Sequence, residues 1–260
     1  MNYKLTLAYN GAAFCGWQVQ LHKHTGEQQR TVQGELERAV ATLEGERRTI
    51  HGAGRTDAGV HAEAQVANVR MERALSVHKL RAALNGNLPP DVRVIEVEQV
   101  ADDFHARFSA TGKTYRYRVF NAPFVSPFLA GRALTEMRPL DVERMKRAAM
   151  VFIGRHDWTA FSSAQSDVQD RVRCVTQMEV CEYWNAEAHG RIVEITASAE
   201  GFLRFMVRSI AGTLLAVGRG EIEIAQVEAA IRTGNRALSG ATAAAHGLTL
   251  VRVHYDSAGK

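Results

Sequence analysis

The segment "RRTIHGAGRTDAGVHAEAQVANVRM", residues 47–71, decides how the chain folds. Two stretches suited to strands, "RRTIHGAG" (47–54) and "HAEAQVANVRM" (61–71), flank a glycine-rich loop and read together as a hairpin. Before the hairpin, "TVQGELERAVATLEGE" (31–46) places Val32, Leu36, Ala39, Val40 and Leu43 on one helical stripe, and "KLTLAYN" (4–10) alternates as a strand. After it, "SVHKLRAALNG" (76–86) reads as a helix with Ser76 as N-cap, Val77, Leu80 and Leu84 buried, and Gly86 as its stop. "DVRVIEVEQV" (91–100) then returns as a strand. The order β-α-β-β-α-β is the split, ferredoxin-like arrangement, in which helices cover one face of an antiparallel sheet.

The remaining chain repeats that order without repeating the sequence. "KTYRYRVF" (113–120) reads as a strand, "LDVERMKRAAMVFIG" (140–154) as a helix capped by Asp141, and "RVRCVTQMEVCEYW" (171–184) with "RIVEITASA" (191–199) as a strand pair. "FLRFMVRSIAGTLLAVG" (202–218) follows as a helix, "IEIAQVEAAIRTG" (222–234) as an extra short helix and "GLTLVRVHY" (247–255) as the last strand. The expectation is an α+β fold of two ferredoxin-like halves, residues 1–105 and 106–260, with the boundary near Phe104 to Ser109. No Pro/Gly-rich linker or low-complexity tract separates them.

At 260 residues and 46% hydrophobic content the chain has what a core needs, and 32 basic against 28 acidic residues give +4, a tilt towards an anionic partner. Cys15, Cys174 and Cys181 form no CxxC pair, so neither a disulfide framework nor a zinc knuckle is indicated. The N-terminus lacks a signal-peptide pattern, and the longest apolar segment, "SIAGTLLAVG", is too short to span a bilayer. These features lead us to expect a cytoplasmic protein with no membrane partner.

The loop within the hairpin, "HGAGRTDAGVHA" (51–62), is the candidate site. A dinucleotide fingerprint fails because Asp57 stands where its third glycine belongs, and a phosphate loop fails for want of Gly-Lys-Ser/Thr. His51, Asp57 and His61 have no close ligand spacing to support a metal site. Two readings remain. In one, Asp57 caps a turn, as aspartate commonly does; in the other, it is a catalytic carboxylate on a rigid loop, with glycines allowing close approach and Arg55 holding a phosphate or carboxylate.

"GRTDAGVHA" resembles the signature of the TruA-type tRNA pseudouridine synthases. So do "FCGWQVQ", "TVQGELERAV", "LNGNLP", "DDFHARFSATGKTYRYRV", "GRHDWTAF", "GFLRFMVRSIAGTLL" and "GLTLVRVHY", which stand in the same order along nearly the whole chain. The resemblance implies isomerisation of uridine to pseudouridine at positions 38, 39 and 40 of the tRNA anticodon stem-loop, by a homodimer needing no cofactor or metal. It also implies two ferredoxin-like halves sharing a mostly antiparallel sheet, with the active site in a cleft between them. Two residues depart from the family pattern: Asn10 where Asp is frequent, and Ala244 in a stretch where Pro is frequent. Both bear only on local turn geometry.

Carried over by motif, Asp57 is the family's catalytic carboxylate and Arg55 the arginine that helps displace the target base, whose unstacking costs a few kcal/mol. Arg208, with Arg204 one turn before it, matches the arginine paired with the aspartate; its ordinary reading is a solvated helix residue. Tyr115, Tyr117 and Val119 share one strand face. The family reading has Tyr115 stack on the base, and the ordinary one puts both tyrosines in the core. Leu248 lines the base pocket by resemblance, or the core by composition. Lys113, Arg107 and the helix arginines are candidate RNA contacts. Other function classes are a non-catalytic RNA-binding module using Tyr115 and Tyr117, whose strand lacks the RNP1 pattern, and, more remotely, a metal-dependent hydrolase.

Overall fold

The computed structural model describes residues 1–22, 25–165 and 168–256. The chain divides into two compact units: Met1–Thr111 together with the segment from Thr249, and Gly112–Leu248.

The first unit follows the expected order: β1 (Asn2–Tyr9), α1 (Val32–Glu44), β2 (Ile50–Gly52), β3 (His61–Arg70), α2 (Val77–Asn87) and β4 (Val92–Val100). Strand β1 lies between β4 and β3, antiparallel to both. Strand β2 pairs antiparallel with the far end of β3, Ile50 opposite Val69 and Gly52 opposite Ala67, so residues 47–71 do form the hairpin. Because β2 is short, the other end of the same β3 edge stays open, and it is filled in parallel by β10 (Leu248–Tyr255) through Thr249–His61 and Leu250–Ala62.

Thr31 caps α1 by accepting the Gly34 N–H, and Gly45 ends that helix in the left-handed region at φ 85°. The α1 stripe of Val32, Leu36, Ala39 and Val40 is buried, as are Leu80 and Leu84 of α2. Ser76 occupies the N-cap of α2, yet its side chain makes no capping bond, and the helix runs one residue past the expected stop at Gly86. Residues Gln65 to Val69 of β3 are all buried, so that strand is covered on both faces rather than on one.

The second unit contains β5 (Ala110–Asn121) from its third residue onward, β6 (Leu134–Glu136), α3 (Val142–Ala149), β7 (Gly154–Asp157), β8 (Val172–Asn185), β9 (Gly190–Ala199), α4 (Met206–Gly218) and α5 (Ile224–Thr233). Antiparallel pairings run β5–β9, β9–β8 and β8–β7, and β6 lies parallel to β5. Asp141 caps α3 as expected, its Oδ1 accepting the Arg144 N–H at 2.8 Å. Two elements depart from expectation. The stretch read as the end of a helix at Gly154 opens strand β7. Helix α4 starts at Met206 rather than near Phe202, because Phe205 takes a left-handed φ of 67° that breaks the turn before it.

Candidate functional site

Asp57 sits half-buried at the centre of residues 53–60, and the surrounding bonds fix that loop from several sides. The Val60 N–H donates to the Asp57 carbonyl at 3.1 Å, closing a four-residue turn with Gly59 at φ 79°. From β3, Gln65 Nε2 donates to the Gly54 carbonyl at 2.9 Å and Val66 accepts the Ala53 N–H at 2.7 Å. The segment after β1 holds the other side: the Trp17 N–H donates to Thr56 O at 3.0 Å and the Gly59 N–H to Phe14 O at 3.3 Å. Tyr9 Oη and Thr56 Oγ1 share a buried hydrogen bond of 2.9 Å, and burial pushes the Tyr9 hydroxyl up to about 12, so it stays protonated.

Two glycines make this contact possible. A Cβ on Gly11 would stand 2.0 Å from the Val60 carbonyl oxygen, and one on Gly16, at φ 100°, would stand 2.7 Å from the Thr56 oxygen. His61 is buried and accepts the Gly11 N–H on Nδ1 at 3.0 Å. That bond commits one ring nitrogen to holding the loop rather than to a ligand. Among the described residues, no group of three or more His, Cys, Asp or Glu side chains is placed to hold a metal ion. Arg55 is exposed beside Asp57 in sequence.

Arg30 braces the same region from behind. Its guanidinium makes a bidentate pair with Asp91 at 2.8 and 2.9 Å, reaches Glu35 at 3.1 Å, and lies 4.2 Å from the Phe14 ring centroid. Its carbonyl also accepts the Cys15 N–H. Arg30→Ala is expected to cost about 1–3 kcal/mol of stability, by loss of the charge-assisted pair and the cation–π contact. Urea unfolding checks this: a lower midpoint with unchanged slope supports the bracing role, and an unmoved midpoint refutes it.

The second unit holds Tyr115, Arg208 and Leu248. Tyr115 is buried in β5 with its ring edge-on to Phe202, centroids 5.2 Å apart at 88°. Tyr117 is fully buried, donates its hydroxyl to Ala244 O at 2.9 Å, and has its acidity suppressed by burial, partly offset by the Arg208 charge. A base-stacking platform made of both tyrosines is therefore not formed, since Tyr117 offers no open face. Leu248 is buried at the start of β10, following a 3-10 turn (Ala245–Gly247) that presses on the Tyr117 ring: a Cβ on Gly247 would stand 2.6 Å from it.

Arg208 is half-buried in the first turn of α4. Its Nε donates to Ala243 O at 2.8 Å, the Ala243 N–H donates back to the Arg208 carbonyl at 3.0 Å, and its guanidinium lies 5.0 Å from the Phe205 ring. Arg204 faces the same ring at 4.8 Å. The side chain is thus held by the Ala243 carbonyl and the Phe205 ring, which the reading as a solvated helix arginine does not predict. Phe205 is the piece the sequence leaves unmarked: a non-glycine residue at φ 67° stores strain directly before the helix that carries Arg208.

The two departures have local explanations. Asn10 accepts the Ala12 N–H on Oδ1 at 3.2 Å, a bond an aspartate oxygen also makes. Ala244 sits at φ −60°, the value proline fixes.

The chain matches the family model described as tRNA pseudouridine synthase over residues 6–109 and 148–256. It is 39% identical over 254 residues to "tRNA pseudouridine synthase A 2" of Bacillus cereus (strain ATCC 10987 / NRS 248), covering 98% of this chain and 99% of that one. It is 40% identical over the same length and shares to "tRNA pseudouridine synthase A" of Acetivibrio thermocellus. "tRNA pseudouridine synthase A 1" of Desulfotalea psychrophila is 36% identical over 260 residues, again covering 98% and 99%. A solved structure titled "Crystal Structure of a Cbf5-Nop10-Gar1 Complex" aligns with 96% of this chain and 49% of that chain at 11% identity, with a TM-score of 0.36, too low to bear on fold or activity.

Proposed function

The chain belongs to the tRNA pseudouridine synthase family, and from that we propose that it isomerises uridine at positions 38, 39 and 40 of the tRNA anticodon stem-loop, with the Asp57 carboxylate as nucleophile. The reaction breaks the bond from ribose C1′ to N1, turns the freed base and joins C5 to C1′; the C5 proton leaves and N1 gains one. No electron changes hands. The protein's share of the work is to extrude the nucleotide, hold a carboxylate against it and exclude competing water.

The observation that carries this reading is the fixed loop around Asp57. A residue that merely capped a turn would not need its loop tied by the Trp17, Phe14, Gln65 and Tyr9 bonds and fitted against two glycines. Tyr115, Arg55, Arg208 and Leu248 are proposed to bind the substrate: Tyr115 and Leu248 against the base, Arg55 in its displacement, and Arg208 in keeping the carboxylate ionised as water leaves. The active protein is proposed to be a cytoplasmic homodimer, each chain of which consists of the halves 1–105 and 106–260. Among the described residues, no helix is long and apolar enough to cross a membrane.

Position is tested with unmodified tRNA transcripts labelled at uridine C5 with tritium. Transcripts keeping uridine at 38, 39 or 40 are expected to release tritium, and a transcript with cytidine at all three is expected to release none. Equal release from that last transcript overturns the positional assignment.

A further inference from the structure

Residues 101–109 form an exposed turn on a rigid footing. Buried Asn2 donates from Nδ2 to the carbonyls of Ala101 at 3.0 Å and Phe104 at 2.9 Å. Buried Asn68 donates to Asn2 Oδ1 at 3.1 Å and accepts the Ala106 N–H at 2.9 Å. Tyr255 donates its hydroxyl to Ala106 O at 2.7 Å and packs its ring 5.3 Å from that of Phe104. These buried polar groups satisfy one another, which is the condition under which such a network rigidifies the backbone it holds.

On that footing three rings pack in a row, each tilted against the next. His105 accepts the amides of Arg107 at 3.1 Å and Phe108 at 3.4 Å on Nδ1, which fixes its tautomer and the direction of its ring. Its centroid lies 4.9 Å from His51 at 38° and 4.4 Å from Phe108 at 35°. His51 stands opposite Asn68 in the β2–β3 ladder, six residues before Asp57 in sequence. Burial, with the His51 charge second, holds His105 below the usual imidazole range, so the middle ring is neutral near pH 7. The row ends in Phe108, which is 76% exposed, with the exposed Arg107 guanidinium 5.6 Å from its centroid.

A single exposed apolar side chain is ordinary on a protein surface. One whose backbone is pinned, whose inner face is occupied by a neutral ring and whose neighbour is an arginine has the parts of a base-stacking platform. Asp102 and Asp103 at the other end of the turn disfavour a run of phosphates there, so the surface suits a base face with one phosphate reached by Arg107. We infer that Phe108, backed by His105 and His51 and flanked by Arg107, stacks against a nucleobase of the tRNA other than the uridine being isomerised. This rests on the tRNA reading above.

The test compares the full-length protein with Phe108→Ala and Phe108→Trp, using unmodified tRNA transcript. Phe108→Ala is expected to raise Kd about tenfold, from the loss of one base–aromatic stack, while the single-turnover rate at saturating tRNA stays unchanged. Phe108→Trp is expected to keep Kd within about twofold, with its added indole emission quenched on tRNA binding. Matching melting curves confirm that the exposed substitution leaves the fold intact. A Kd unchanged in Phe108→Ala, or emission unchanged at saturating tRNA, overturns the platform while tritium release by the unmutated protein keeps the tRNA reading intact. Absence of release and of tRNA binding in the unmutated protein overturns that reading and the platform with it.

Discussion

Asp57→Asn is expected to lower the rate of tritium release from 5-tritiated tRNA by about 10³- to 10⁵-fold, while tRNA binding stays within about threefold. The amide is nearly the same shape as the carboxylate but is neither a nucleophile nor a base, so any route that uses Asp57 chemically stops. That holds whether the carboxylate attacks C1′, attacks the base, or removes a proton from the ribose. The loop should survive, because the bonds to Gly54, Thr56, Asp57 and Gly59 that tie it down are made by their backbone atoms. The measurement pairs single-turnover release with a filter-binding Kd, both in the presence of chelator. A rate within about tenfold of the unmutated protein removes Asp57 from the chemistry, since loss of an essential covalent or acid–base group costs more than that. A parallel collapse of binding and melting temperature instead marks it as structural.

The core of the first unit was legible because its patterns were long and local. The stripe Val32, Leu36, Ala39, Val40 and Leu43 repeats at helical spacing; the first four are buried, and Leu43, in the last turn, is half-buried. The strand pattern of 47–54 is longer than β2, because its flanks answer to contacts that periodicity does not carry. Arg48 reaches carboxylates of Glu44, Glu46 and Glu72, so that part of the chain serves an ion cluster rather than the ladder. Strand β7 carries no sequence signal, because its four residues follow directly on the amphipathic α3 segment, have no period of their own and are set by pairing with β8. The start of α4 is not legible, because nothing in "GFLRF" marks Phe205 for a left-handed backbone, where glycine or asparagine is the usual sign.

The site shows the same division. Glycines on both sides of an aspartate made the loop conspicuous as sequence. What holds the loop still was invisible there: Tyr9 meets Thr56 and Gly11 meets His61 across 47 and 50 residues of chain. Those residues look like ordinary parts of a strand and a turn until the fold joins them. The glycines of "AYNGAAFCGW" are accordingly as much part of the candidate site as those of "HGAGRTDAG", although they carry no chemistry.

That coupling makes Gly11→Ala the sharpest structural prediction. The added Cβ would lie 2.0 Å from the Val60 oxygen and 2.5 Å from the Val60 carbon, both backbone atoms, so no side chain can turn aside to admit it. Val60 must move, and the hydrogen bond from its N–H to the Asp57 carbonyl passes that movement to the proposed catalytic carboxylate. The expected results are a loss of about 1–3 kcal/mol of stability, the scale of overpacking a filled site, and a drop in single-turnover rate of about 10²-fold at a temperature where the variant is fully folded. Gly86→Ala is the matched control: a Cβ there has nothing within 4 Å, the residue lies inside α2, and alanine should stabilise by up to about 1 kcal/mol with no change in rate. Chemical denaturation and single-turnover kinetics on both variants separate the outcomes. If Gly11→Ala turns over normally when folded, the loop tolerates displacement and the clamp around Asp57 serves stability alone. If it is slow while Gly86→Ala is not, the geometry imposed by the segment after β1 is part of the catalytic apparatus.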